Sequence, residues 1–396
     1  LTLASGFPLS LFVPAIKSKI MDDEMSKLAT EDGVPRGLCL SPRWFIRPKN
    51  TDWLHTVYAA NLLTQSSKRF TLELDKRAVS VGRSNYTYIR KFLLGRALGR
   101  SAIFTPYEQY PGKLPGYDFF YSYGTFPTDA PSGARILWHD GPTDVDVLMR
   151  RGLSVAEVDR CLRAKRDIAQ VATRLAMSSE YSKQLFCQQF EVDAARVDVL
   201  PFVLPFTQAI DDERLTAKHV AGPIKILFVG RAARRKGLDL LVTAFQSLRA
   251  RGVEATLTIV SEMQDGPVAL PDDPAIELLP ALPPLEIQRL MSAAHIFAMP
   301  SREESYGIVY IEALAAGAVP IAPDKPQQRM MLQNGDIGCL VSPSPDDIAE
   351  RLVKLSENNS LRLEMARRGV EAFTKHYSKA AVLERFEQAF DMTLKG

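Results

Sequence analysis

Met299-Pro300-Ser301-Arg302-Glu303-Glu304-Ser305-Tyr306-Gly307-Ile308 runs directly into Val309-Tyr310-Ile311-Glu312-Ala313. An apolar strand, Ile296–Met299, ends in a short polar loop, and a helix starts near Gly307. Strand, loop and helix in that order make one step of a parallel β/α sheet, and such sheets bind ligands beyond the carboxyl ends of their strands. A helix starting there offers unpaired amides and the positive end of its dipole to a phosphate. Gly307 lacks a Cβ, so backbone can approach a ligand closely. Glu304 stands just before the helix and Glu312 lies inside it, about two turns on from Glu304; at ~1.5 Å rise per residue, roughly 10 Å separates them. That spacing suits one carboxylate on a sugar and the other on a ribose, with a diphosphate between, because carboxylates accept well from paired hydroxyls.

A second strand ends in the same way. Phe228-Val229-Gly230-Arg231 is followed by Arg235-Lys236-Gly237 and then a helix. Arg231 and Lys236 can neutralise a diphosphate that gains charge as it leaves. Neither a Walker pattern nor GxGxxG is present, which excludes the standard P-loop and dinucleotide fingerprints. Around these loops the pattern alternates: strands Ile224–Val229, Ala255–Val260, Ile296–Met299, Val319–Ala322 and Cys339–Val341, with helices Leu238–Arg249, Pro284–Ala293, Gly307–Ala316 and two more near 345–357 and 359–372. This predicts a doubly wound domain over 223–377. The amphipathic stretch Ser378–Leu394, with Ser378 as its cap, predicts a separate terminal helix in 378–396.

The 396 residues suit two domains better than one. With 46% apolar and 24% charged residues, the composition is that of a globular protein. Strand candidates Phe70–Leu74, Tyr117–Tyr123, Arg135–Trp138 and Val197–Leu200, with helices Asp52–Thr64, Tyr86–Leu98 and Ser154–Val171, predict an α/β first domain over 26–206. Phe206–Gly222 is polar and ends at Gly222-Pro223, so residues 207–222 read as a linker. Residues 1–25 read as a tail, with Met21 or Met25 a natural start. The net charge is +3, from 49 basic and 46 acidic residues, and that balance does not point to nucleic acid. Cys39, Cys161, Cys187 and Cys339 lack metal or disulfide spacing and read as free thiols of a reducing cytosol.

The two loops together resemble the retaining, two-domain glycosyltransferases of the GT-B fold, of the family 4 type (glycosyl transferases group 1). Gly230, Arg231, Lys236 and Gly237 match one motif of that family. Pro300, Ser301, Glu304, Glu312, Ala313, Gly317 and Pro320 match the other, and the match covers about residues 224–345. The resemblance implies two Rossmann-like domains facing across a cleft, with the terminal helix crossing back onto the first. It implies a sugar moved with retention from a nucleotide diphosphate donor to an acceptor hydroxyl, in glycan or polysaccharide synthesis, with neither metal nor cofactor. The alternatives are another GT-B enzyme, such as a nucleotide-sugar epimerase, or a non-catalytic nucleotide-sugar-binding protein.

By the same resemblance Arg231 and Lys236 hold the diphosphate, Glu304 touches the donor sugar, and Glu312 binds ribose. Gly230, Ser305, Tyr306, Gly307 and Ile308 line the donor site. His139, at the end of the strand Leu137-Trp138-His139, resembles a residue that contacts the donor sugar. The sequence departs from the family at Phe202-Val203-Leu204-Pro205 and at Asp324-Lys325-Pro326-Gln327-Gln328, where a Gly-Gly pair is usual. The Asp144-Val145-Asp146 triplet reads as helix-start acids rather than a metal site. Lys68–Arg100 holds nine basic residues; it reads as a solvated helix face, with peripheral contact to an anionic membrane as the alternative. The acceptor is a saccharide, a lipid-linked sugar or a small molecule. The expected place is the cytoplasm, with the inner face of the membrane as the alternative.

Overall fold

The computed structural model describes residues 35–40, 71–74, 117–123, 133–141, 145, 149, 153–204, 207–220 and 222–396. The expectations for residues 1–25, Asp52–Thr64, Tyr86–Leu98, Asp144 and Asp146 lie outside these.

Two six-stranded parallel sheets carry the fold. The first holds β1 (Arg36–Leu40), β2 (Thr71–Leu74), β3 (Phe119–Tyr123), β4 (Ile136–Asp140), β5 (Arg174–Met177) and β6 (Val197–Val199), in the order β2-β1-β3-β4-β5-β6. The second holds β7 (Ile224–Val229), β8 (Ala255–Val260), β9 (Ile276–Leu279), β10 (Ile296–Ala298), β11 (Val319–Pro323) and β12 (Cys339–Val341), in the order β12-β11-β10-β7-β8-β9. Strands covered on both faces are near-continuous apolar runs. Phe228, Phe297, Ile259 and Ile321 are fully buried, and the helices Leu238–Ala250 and Pro345–Glu357 cover one face with Leu241, Phe245, Ile348 and Leu352.

The order of the second sheet explains where its site lies. The chain starts in the middle at β7, steps outward to β8 and β9, then crosses back to β10 on the other side of β7. The crevice between the ends of β7 and β10 is therefore the topological switch point, where open α/β sheets bind ligands. The loops after these two strands are the two singled out in the sequence.

The carboxyl ends of both sheets meet at one seam. Ser179, just past β5, donates from Oγ to Gln327 Oε1, just past β11, at 2.7 Å. Phe202, beyond β6, packs edge-on against Tyr306, with ring centroids 5.0 Å apart. The terminal helix Lys379–Lys395 is capped by Ser378 and sets Val382, Phe386 and Phe390 against Phe119 and Tyr121 of β3. Each buried ring of this size stabilises the contact by about 1.5–3 kcal/mol.

The segment 207–222, expected as a linker, instead contains a helix, Asp212–Lys218, capped by the Asp211 carboxylate. It belongs to the second domain. Ile210 N donates to Ala315 O, Lys218 Nζ to Ala316 O, and Leu215 is buried against Gly317. The polar composition hides this because the buried groups are themselves polar. His219, 2% exposed, donates from Nε2 to Gly317 O and accepts at Nδ1 from Arg362 Nε, while His295 donates from Nε2 to Lys218 O and accepts at Nδ1 from Lys225 N. Strand β5 escapes the sequence because Arg174-Leu175-Ala176-Met177 is short and holds no β-branched residue. Strand β9 escapes because it is an edge strand with Glu277 and Leu278 exposed.

Candidate active site at the ends of two strands

Gly237 fixes how closely the two loops approach. It has φ +78, in the left-handed region, and begins the helix Leu238–Ala250. A Cβ built there would lie 2.2 Å from the carbonyl oxygen of Pro300. Only glycine lets the Lys236 loop pack its backbone on the Pro300 loop.

That packing delivers Lys236 to Glu304. Lys236 Nζ donates to Glu304 Oε2 at 2.6 Å, and the side chains are 15% and 7% exposed. Glu304 Oε1 accepts from Ser305 N at 3.2 Å, so both carboxylate oxygens are held. Gly230 lies under the Lys236 stem, where a Cβ would meet Lys236 Cγ at 3.1 Å. Arg231 is more exposed; its Nε meets Glu262 Oε2 at 3.0 Å. An ammonium carries three donors, so Lys236 can keep Glu304 and still reach a phosphate.

Gly307 begins the helix Ile308–Ala315 with φ +89 and no side-chain cap. A Cβ there would strike the Tyr310 ring at 2.5 Å. Tyr310 is fixed from below, since its buried hydroxyl donates to Met299 O at 2.6 Å. The first turn, at Gly307 and Ile308, therefore points its dipole toward the same crevice as Lys236. Tyr306 is half-buried on Phe202, with its hydroxyl enclosed. Glu312 lies one turn beyond Gly307, and burial pushes its carboxyl up to about 7.

His139 sits elsewhere. It is 2% exposed at the end of β4, with Nδ1 2.9 Å from Tyr121 Oη and Nε2 3.3 Å from Ser178 Oγ. Burial pulls its pKa down to about 3, so the imidazole is neutral across physiological pH. Its link to the second domain runs through Ser178 and its neighbour Ser179, which bonds Gln327. The structure thus brings Gly230, Lys236, Glu304, Ser305 and Gly307 together, leaves Arg231 at the rim, and holds His139 beneath the seam.

Sequence reasoning missed the clasp that holds the loops. Arg302 pairs bidentately with Asp239 at 2.7 and 2.8 Å, and its Nη1 also donates to Arg234 O at 2.6 Å. Burial alone would raise the Asp239 carboxyl; the Arg302 guanidinium outweighs it and holds the carboxyl below its ordinary value. Asp265 accepts from the amides of Arg234 and Arg235. The signal for Arg302 was its place inside the quoted stretch. Its partner, in the first turn of a helix 63 residues away, leaves no local trace. Gln327 and Gln328, 5% and 0% exposed, fill the place of the expected glycine pair, and Gln328 Nε2 donates to Tyr306 O at 3.3 Å.

Among the described residues no group of His, Cys, Asp or Glu could hold a metal ion, and no helix is long and apolar enough to cross a membrane.

Comparison with known proteins bears on the family and the fold. Residues 210–372 match the family of glycosyl transferases group 1. The chain is 28% identical over 236 residues to a D-inositol 3-phosphate glycosyltransferase of Corynebacterium kroppenstedtii, covering 54% of this chain and 51% of the relative. It thus spans about half the length of the curated relatives it matches. Among solved structures, a Rickettsia africae glycosyltransferase aligns over 92% of this chain and 100% of its own, with a TM-score of 0.60 at 13% identity. Anabaena HepE, solved with UDP-glucose, aligns over 90% and 99%, with a TM-score of 0.58 at 16% identity. At these identities the likeness shows the fold, which is the GT-B arrangement of two Rossmann-like sheets.

Proposed function

We propose that this chain, whose residues 210–372 carry the glycosyl transferases group 1 match, moves a sugar from a nucleoside diphosphate donor to an acceptor hydroxyl. The observation that carries the reading is the Lys236–Glu304 pair, held at 2.6 Å between the loops at the switch point of the second sheet. A cation for the diphosphate and a carboxylate for sugar hydroxyls stand side by side, beside a helix N-terminus suited to phosphate.

In this reading Lys236 and Arg231 take the diphosphate, and the backbone at Gly307 and Ile308 takes phosphate oxygens. Ser305 and Tyr306 wall the pocket, Glu304 orients the sugar, and Glu312 accepts from the ribose hydroxyls. The bond from the anomeric carbon to the diphosphate oxygen breaks while the acceptor oxygen bonds to that carbon on the same face. The acceptor's proton goes to the departing phosphate. Lys236 stabilises charge as it builds on the leaving group, without a metal ion. The residues at the seam, including His139, exclude water, which limits donor hydrolysis.

The test is NMR of the protein with a panel of nucleoside diphosphate sugars and acceptors, in chelator. D-inositol 3-phosphate, suggested by the relatives' name, is the first acceptor to try. The expected result is release of the nucleoside diphosphate with a product that keeps the donor's anomeric configuration. An inverted product contradicts retention, and no release from any pair contradicts the transfer itself.

A further inference from the structure

The second sheet has another end. Its strands are parallel, and the loops described above lie at their carboxyl ends. At the opposite end, where β12 begins at Cys339, a cavity of about 360 Å³ opens between that edge strand and the helices Pro345–Glu357 and Asn359–His376. Its size falls within the roughly 300–1,000 Å³ of small-molecule sites.

Three cations line it, Arg351, Lys354 and Arg368, against a single carboxylate, Asp336. The cations are poorly neutralised. Arg351 Nε is buried with no hydrogen-bond acceptor, and its nearest carboxylate oxygen, Asp347 Oδ1, stands 3.5 Å away. The other oxygen of Asp347 already accepts from Ser342 N and Oγ. Arg368 reaches Glu364 only at 3.8 Å. Lys354 is exposed and makes no ion pair among the described residues. Burial raises the Cys339 thiol pKa, and Arg351 and Lys354 act against it. The side chains of Arg351 and Arg368 are 41% and 43% exposed, so both guanidinium groups can take an anion from solvent. The fork of arginine suits phosphate oxygens in particular. The rest of the lining joins Asn334 to apolar side chains, among them Leu340, Leu355 and Met365.

We propose that this cavity, formed by Arg351, Lys354 and Arg368 over Leu340, Leu355 and Met365, is a second ligand site for a phosphate monoester with an apolar body. The site is separate from the donor crevice. The helix that lines it reaches toward that crevice, for Gly369 packs on Leu314 of the helix Ile308–Ala315.

The test is calorimetric titration of the full chain with n-hexyl phosphate, with hexanol as the uncharged control, and flotation with phosphatidylcholine vesicles with and without phosphatidic acid. Saturable binding of hexyl phosphate but not hexanol is expected, weakening with salt. It falls roughly tenfold or more in Lys354→Glu/Arg368→Glu and is unchanged in Lys236→Ala. Both substituted residues are exposed, and Lys354→Gln supplies a milder variant with a smaller loss. Binding only to phosphatidic acid vesicles, with the same dependence on the variants, supports a lipid-borne phosphate monoester. No binding of either probe, equal binding of hexanol, or binding unaltered in the double variant overturns the proposal.

Discussion

Lys236 Nζ and Glu304 Oε2 stand 2.6 Å apart across 68 residues of sequence, one on each of the two loops at the switch point of the second sheet. Both side chains are mostly shielded from water, so neither charge tolerates losing the other. Lys236→Ala should lower stability by about 1–3 kcal/mol, less than for a fully buried pair. Lys236→Ala/Glu304→Gln should cost less than the sum of the single changes. Additive costs in urea unfolding would mean that the pair is not formed in solution.

Gly237→Ala tests the contact that creates this pair. The added methyl meets the Pro300 carbonyl in a residue whose φ already disfavours a side chain. A loss of more than about 1 kcal/mol is expected, together with weaker binding of nucleoside diphosphates. An alanine variant with unchanged melting and binding would show that the loops do not depend on this approach.

Glu312 carries a cost that the proposed ribose contact would explain. Burial raises its carboxyl to about 7 in the folded chain, from an ordinary value near 4.5. The native state therefore holds a proton between those values that the unfolded chain has released. By linkage, Glu312 subtracts stability as pH rises from about 4.5 through 7, and the full cost is present above 7. Glu312→Gln should raise the melting temperature at pH 8, by about 2–6 °C, and little at pH 4. The same change should weaken donor binding, since an amide accepts less well from paired hydroxyls. In the wild type, donor affinity should fall as pH drops below 7. Isothermal titration at pH 6 and 8 checks this, and equal affinities would remove Glu312 from the site.

His139 should not titrate between pH 5 and 8, because burial holds it neutral with both ring nitrogens occupied. His139→Ala should lower turnover more than it weakens nucleotide binding, and should introduce no new inflection in the pH–rate profile. An inflection of the wild type in that range that vanishes in His139→Ala would show instead that the ring shuttles a proton.

The second sheet was largely legible in the sequence. Continuous apolar runs such as Ile224–Val229 and Ala255–Val260 occur where both faces are buried, and the helices between them keep a clean apolar stripe. The loops were legible because glycine and charge fall directly after those runs. What escaped is whatever depends on distant partners. Asp239 looks like an ordinary acid in a first helical turn until Arg302 closes on it. The helix Asp212–Lys218 looks like linker because His219, buried, and Lys218, half-buried, are held by carbonyl partners rather than by apolar contacts. His139 was placed at the right strand end, but its burial follows from Tyr121 and Ser178 on neighbouring strands.

The most direct test of the donor site is a thermal-shift series of nucleoside diphosphates and their sugar conjugates in chelator, on wild type and on Lys236→Ala. Ligand that binds only the native state raises its melting temperature by mass action. The account predicts a shift with one diphosphate series in the wild type and its loss in Lys236→Ala. An equal shift in both proteins, or none with any nucleotide, would contradict a donor site built on Lys236 and Glu304.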